Sequence, residues 1–360
     1  MKKISSFEYN SLLWFVMRAS YIGLSLNNVI NITKQDSWIA GIIALILGLI
    51  PFFIFIYLKN YDKEKNIAQL TLYLFGNFGK IINTILIIGG ILFSLVAFID
   101  LTNFVNSQFL FKTPHIIVGI CFIIPIIYGL FKGINAIAKT SLIMFYFVII
   151  IIICIILGVL SGVDIQNLKP LFQAKPTNIF HSVSIIIAYN VIPIFLLTII
   201  PTNAIKDYNY KKSMFFYLLA LISLINAAFL TITVFGTELS LLYKYPELNV
   251  LKKVEVGDFI DRVESIFSIE LIVALIILII IGIYFTKEII KTTFNLKEKT
   301  NNIITIIACL SILFINEQIF LTNATINTFS KGPMVIIMFC YLLLALIIMI
   351  KAILKKHFHH

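Results

Sequence analysis
Apolar residues fill this chain in blocks of about twenty, divided by short polar stretches, from one end to the other. A helix needs about 20 mostly apolar residues to cross a hydrocarbon core of about 30 Å, and it satisfies its own backbone hydrogen bonds there. Ten blocks reach or approach that length: residues 8–30, 38–58, 80–109, 115–131, 141–161, 179–200, 212–235, 267–287, 301–316 and 333–354. The third is long and the ninth short. The pattern predicts an all-α integral membrane protein, a single polytopic domain over 1–360 with about ten transmembrane helices and both termini on one side.

Composition agrees. The 360 residues are 60% hydrophobic and only 12% charged, with a mean hydropathy of +1.02, which excludes an ordinary soluble domain. The net charge of +11 would suggest nucleic acid if it were concentrated. Instead the lysines stand in short clusters between apolar blocks. With the N-terminus inside, the inner segments hold eighteen of the 28 Lys and Arg, the outer loops nine, and Arg18 lies within a span. That bias predicts cytoplasmic termini, a multi-pass membrane location and no nucleic-acid partner. The inner clusters at 59–65 and 287–299 suit anionic membrane lipid or a protein partner. Cys121, Cys154, Cys309 and Cys340 lie inside apolar blocks without metal or redox spacing and read as small buried hydrophobes. The first block is long and no small-residue cleavage site follows it, so it reads as an uncleaved anchor.

The longest polar segment is the outer loop 236–266. Near its end Val256, Phe259, Ile260, Val263 and Phe267 recur at helical spacing. Asp258 precedes Arg262 by four, the favourable order for a helical ion pair. The spacing predicts a short amphipathic helix lying over the outer mouth as a lid.

Several loop-proximal motifs then line up: Lys34-Gln35-Asp36-Ser37-Trp38-Ile39, Leu110-Phe111-Lys112-Thr113-Pro114, Lys132-Gly133-Ile134-Asn135-Ala136, Asn167-Leu168-Lys169-Pro170-Leu171, Tyr245-Pro246 and Gly257-Asp258-Phe259-Ile260-Asp261-Arg262-Val263-Glu264. The ordered set resembles the endospore germination permease family, the B subunits of spore germinant receptors. The resemblance implies the amino acid/polyamine/organocation superfamily and a LeuT-like inverted 5+5 repeat with broken helices 1 and 6, the repeats falling at 1–161 and 179–354. It implies a role in sensing a small-molecule germinant, an amino acid, in the spore inner membrane, with an A subunit and a C lipoprotein subunit as partners. Members often carry an acid in the middle of the sixth span, where this chain has Tyr189 and Asn190, and a tryptophan early in the eighth, where it has Ser268, Ile269 and Glu270.

In inverted-repeat transporters the ligand lies near the midplane, where one helix of each repeat is interrupted. The first span contains Ser20-Tyr21-Ile22-Gly23-Leu24-Ser25 and the sixth Tyr189-Asn190-Val191-Ile192-Pro193. Gly23 opens backbone angles closed to other residues. Pro193 removes an N–H and crowds the carbonyl of Tyr189. These residues form the expected ligand site, with the ligand carboxylate on the amides near Gly23, its ammonium on carbonyls and Asn190, and Phe98 and Tyr189 as stacking gates. Ser94, Thr198, Asn226, Thr231 and Thr233 are further polar groups on neighbouring spans.

Arg18 needs a partner, because a cation at mid-membrane costs about 2.5–3.5 kcal/mol on insertion scales. Asp100, late in the third span, is the candidate acid, although it lies nearer the outer end; the alternative is that Arg18 faces helix carbonyls or snorkels toward the inner surface. No HExxH, nucleophile motif or paired intramembrane aspartate is present, so neither catalysis nor a cofactor or metal is expected. His357, His359 and His360 cluster at the C-terminus. Two other functions fit the same pattern: an active amino-acid transporter, and a scaffold or water/ion conduit.

Overall fold
The computed structural model describes residues 3–159, 162–252, 263–320 and 332–357. Among them all ten blocks are helical. In chain order the helices are α1 (Ser6–Arg18), α2 (Leu26–Thr33), α3 (Ser37–Leu47), α4 (Leu49–Tyr61), α5 (Ile67–Phe75), α6 (Phe78–Gln108), α7 (His115–Lys132), α8 (Ile134–Val159), α9 (Pro176–Ile186), α10 (Tyr210–Leu242), α11 (Pro246–Lys252), α12 (Val263–Phe294), α13 (Glu298–Phe320) and α14 (Pro333–His357). Nine helical stretches among the described residues are long and apolar enough to cross a membrane. The first, Ser6–Tyr61, has 56 residues, about 84 Å of helix at 1.5 Å per residue and so enough for two crossings. It reverses at Lys34, whose φ of 52° ends α2, and α2 and α3 both pack on α9.

Local chemistry sets the helix ends. Ser5 and Glu8 cap α1 reciprocally: the Glu8 amide donates to Ser5 Oγ at 3.2 Å and the Ser5 amide to Glu8 Oε2 at 2.6 Å, which satisfies two otherwise orphaned donors. Asn66 and Gln69 do the same for α5. Several helices outrun their apolar blocks, most at the C-terminal ends of α10 and α12, because a helix continues into the polar interface where hydropathy falls. The outer loop begins differently from expectation. α10 runs to Leu242 past an interruption at Gly236 (φ 69°, ψ 176°), and α11 follows inside the loop. The proposed lid residues Asp258 and Arg262 lie outside the described residues, as do His359 and His360.

The core is built around α1 and the sixth span, which is buried over nearly its whole length. α6 and α12 make the longest helix contact, and small residues let them approach. A Cβ at Gly282 would sit 2.3 Å from Ser94 Oγ, and one at Gly90 2.5 Å from Thr286 Oγ1, as small residues commonly permit in membrane packing.

The two ends of the bundle are tied by polar contacts from the recognised motifs. Asp36 is fully buried and its carboxylate accepts from the Phe172 amide at 2.9 Å and the Ala174 amide at 2.8 Å. Gln35 Nε2 donates to the Pro170 carbonyl at 2.9 Å, and Asn167 Nδ2 to the Thr233 carbonyl at 2.9 Å. The motifs around Asp36 and Pro170 are thus one structural clasp. Asp36→Ala is expected to lower stability by about 3 kcal/mol, since two hydrogen bonds to a charged acceptor are lost; an unchanged melting temperature in detergent would refute this. At the other end β1 (Ile4–Ser5) pairs in parallel with β2 (Ile205–Lys206). Beside them Lys59 Nζ donates to the Ile200 carbonyl at 2.6 Å and lies 4.5 Å from the centre of the Tyr9 ring.

Candidate functional site
The first span is broken where the sequence predicts. After Arg18 the backbone widens into a π-turn over Tyr21–Ser25, closed by the Ser25 amide on the Ser20 carbonyl at 3.1 Å. Gly23 sits at φ 82°, a region that costs an ordinary L-residue about 1–2 kcal/mol. The sixth span breaks in the same manner: α9 gives way to a π-turn over Ile187–Val191 and then to a 3₁₀ stretch over Ile192–Ile199. Pro193 stands in the first turn of that stretch, where its missing N–H matters least. The two breaks touch.

Their contact repairs the backbone. A π-turn at Tyr21 takes from the Met17 carbonyl its usual donor four residues on. Asn190 Nδ2 replaces that donor at 2.9 Å. Tyr21 extends its hydroxyl across to the Leu224 carbonyl on α10. Asn190 and Ser25 are fully buried and Ser20 and Tyr189 nearly so, while Leu24 is half-buried. Val191 packs against Gly48. The sequence-predicted set Ser20, Tyr21, Ile22, Gly23, Leu24, Ser25, Tyr189, Asn190 and Val191 is therefore drawn from two segments that meet. Phe98 packs toward α7: its ring lies 3.8 Å from where a Cβ would stand at Gly119.

Gly23 faces acidic side chains. A Cβ built on Gly23 would stand 2.7 Å from Asp100 Oδ1 and 2.5 Å from Tyr245 Cε1. Glu247, in the first turn of α11, is within electrostatic reach of Asp100, and the Gly23 amide points toward it. The Gly23 amide therefore looks at a carboxyl group of the protein itself, in the place expected for a ligand carboxylate. Asp100 is 4% exposed and Glu247 6%. Among the described residues Asp100 Oδ2 lacks a hydrogen-bond partner, whereas the Glu247 carboxylate is met by its own amide and that of Gly23.

Arg18 does not pair with Asp100. Its Nη2 lies 2.7 Å and its Nε 2.9 Å from Glu270 Oε1 on α12. Its Nη1 donates to Ser223 Oγ on α10 at 2.5 Å, and the guanidinium carbon lies 5.1 Å from the centre of the Trp14 ring. The reason is direction along the helix. Arg18 ends α1 on the side of α10 and α12, whereas Asp100 meets the chain five residues later at Gly23. The side chains of Arg18 and Glu270 are 5% and 2% exposed, so the pair is dry. Glu270 announces itself only as a lone acid in the run Ile266-Phe267-Ser268-Ile269-Glu270-Leu271-Ile272. Glu247 carries no such signal, because an acid after a proline in a polar loop reads as an ordinary helix start.

The hydroxyls of neighbouring spans mostly serve their own backbones. Ser94 donates to the Gly90 carbonyl, Thr198 to Phe195, Thr231 to Ala227 and Thr233 to Phe229. Asn226 borders a cavity of about 50 Å³ beside Arg18 and Glu247.

Known proteins resemble this arrangement. The spore germination protein family model matches residues 3–325. Spore germination protein KB of Bacillus subtilis (strain 168) is 26% identical over 278 residues, covering 75% of this chain and 73% of its own. Spore germination protein A2 of the same strain is 26% identical over 278 residues, covering 75% and 74%. Among solved structures, a mutant of the Eremococcus coleocola manganese transporter superposes with a TM-score of 0.59 at 11% identity, over 93% of this chain and 74% of that one. At that identity the likeness concerns the fold alone, a LeuT-like transporter fold. A family match along nearly the whole chain is decisive: this protein belongs to the spore germination protein family.

Proposed function
We propose that this chain is the membrane subunit of a spore germinant receptor. It binds a small nutrient germinant, an amino acid, at the unwound centre of the bundle and signals germination with an A subunit and a C lipoprotein subunit. The observation that carries this reading is the meeting of two broken helices in the bundle interior, with unpaired buried polar groups around them. The five-helix units at 1–161 and 179–354 act as the two halves that move. Ligand shifts their equilibrium only through a difference in affinity between the two arrangements. The subunit lies in the spore inner membrane with both termini in the cytoplasm, the orientation that the lysine bias favours.

A second reading, active transport of the same ligand, is favoured by the fold likeness to a transporter. The two separate cleanly. Gly23→Trp fills the break. A sensor predicts spores that hold normal levels of the variant yet fail to germinate, and purified protein that binds amino acid without vesicle uptake. A transporter predicts radiolabelled uptake that the same variant abolishes. Normal germination by Gly23→Trp spores at normal receptor level would remove the break as the site.

A further inference from the structure
The break in the first span is already covered by the protein's own chain. The segment 243–252, which leads into and forms α11, lies across it as a strap. Asn27, just past the break, holds the strap by donating through Nδ2 to the carbonyls of Tyr243 at 2.9 Å and Lys244 at 3.2 Å. Tyr245 sets its ring edge-on to Phe104 of α6, 4.9 Å between centres, and its Cε1 lies against Gly23. Glu247 follows, and its carboxyl group is met by the Gly23 amide and by its own. Leu248 and Val250 are buried beyond it.

A helix break inside a membrane bundle frees amides that need an acceptor, and here Glu247 is that acceptor. The fit is incomplete. Asp100 Oδ1 stands beside the same glycine, while Asp100 Oδ2, in a side chain 4% exposed, has no hydrogen-bond partner among the described residues. Glu247 leaves that oxygen unanswered. An amino acid carries both groups the place calls for, a carboxylate for the amide and an ammonium for Asp100.

We propose that Glu247 is a built-in stand-in for the ligand: its carboxyl group occupies the carboxylate position of the break, an amino acid enters by displacing it, and release of the strap from Gly23 is the event that is signalled. This mechanism rests on the ligand-sensing reading above and keeps its site. It adds what closes that site and what opens it. α11 packs on α8, α10 and α12, so its release reaches three spans. The interruption of α10 at Gly236 gives the strap a hinge, since hinges are the few positions that absorb a change of backbone angles.

Displacement is linked to a proton. Burial holds the docked Glu247 carboxyl at about 8, and nearby Asp100 adds to the rise. A glutamate in water ionises at about 4.3. The docked form therefore keeps a proton that the released form loses. Release grows easier as pH rises from about 4.3 to about 8, by up to about tenfold per unit, and levels off above. The groups facing Glu247 among the described residues are Asp100 on α6, Tyr21 in the break and Tyr245. Lys244 stands near Asp100, and Arg18, paired with Glu270 of α12, near Tyr21. The residues of α8 and α10 that line the adjoining cavity carry no titratable side chain.

The test uses the full chain in lipid nanodiscs, titrated with each of the twenty natural amino acids and with the carboxamide of any that binds. Thermal shift reports affinity, and hydrogen exchange reports the strap. At least one amino acid is expected to bind, and its carboxamide, which lacks the carboxylate, more weakly. Glu247→Ala should tighten amino-acid binding roughly 2- to 10-fold, because one competing hydrogen bond is gone. Asn27→Ala, which loosens the strap without touching Glu247, should shift affinity in the same direction. The climb of affinity between pH 5 and pH 8 should flatten in Glu247→Gln. Saturating amino acid should speed exchange across 243–252 in the parent protein, a measurement that stands even where a variant fails to fold. Weaker or equal binding by Glu247→Ala, an unaltered pH profile in Glu247→Gln, or slower exchange of the strap with ligand would each overturn the stand-in and leave the sensing reading in place. If no amino acid binds either the parent or Glu247→Ala, the sensing reading fails and the stand-in with it.

Discussion
Replacing Glu270 with alanine is expected to cost about 3–5 kcal/mol of stability, the penalty for leaving one member of a buried ion pair without the other. The expectation follows from burial, not from the pair being intrinsically strong. Both side chains are almost inaccessible, so Arg18 would keep its charge with no carboxylate beside it, answered by Ser223 and the Trp14 ring. Arg18→Ala should cost a similar amount. The double variant Arg18→Met/Glu270→Met should regain much of the loss, because apolar side chains of similar volume often replace a buried pair at little cost. Arg18→Ala combined with Asp100→Ala should instead be additive, since these two residues do not touch. Melting temperatures in one detergent, with membrane levels of each variant, complete the cycle. A coupling energy near zero between Arg18 and Glu270 would overturn the assignment of the partner.

The second large effect is at Gly23. Gly23→Ala meets two penalties at once. The backbone there has φ 82°, worth about 1–2 kcal/mol against an L-residue. The new methyl would also lie 2.5 Å from Tyr245 Cε1 and 2.7 Å from Asp100 Oδ1, and overpacking of that kind typically costs about 1–3 kcal/mol. Tyr245 is 1% exposed and has nowhere to swing. The sum, roughly 2–5 kcal/mol, should appear as a lower melting temperature. Tyr245→Leu in the same chain should restore the steric part and leave the backbone part. Full rescue, or none, would show that one penalty has been misassigned. Because Tyr245 begins the approach to α11, Gly23→Ala should also displace Glu247 from the Gly23 amide.

How much of this was legible in the sequence depends on whether a signal is local. The spans were legible because each is a local run of apolar residues. Both breaks were legible because Gly23 and Pro193 act on their own backbones. The roles within the site were less so. Asp100 was visible as a charge in a span, but its neighbour is set by which way α6 presents it, which depth along the span does not fix. Glu270 sits at the edge of its apolar block, where an acid reads as an interfacial residue, and only the longer course of α12 shows it to be interior. Glu247 could not be read as buried at all, because nothing local tells a loop helix that covers the bundle from one that floats on it. Phe98 is legible as an aromatic on the third span, but that it packs against Gly119 of α7 is a long-range fact no local pattern carries.

The distance in sequence between Arg18 and Glu270 is 252 residues. At a synthesis rate of about 5–20 residues per second, roughly 13–50 s pass between the emergence of the first and the second. Through that interval the first span stands in the membrane or at its insertion site without its glutamate, and its other distant partners also come late: Asn190 follows Met17 by 173 residues and Ser223 follows Arg18 by 205. The opening helix of this protein is thus threaded early and completed late. Its retention during synthesis, rather than its stability once folded, sets the demand it makes on the insertion machinery.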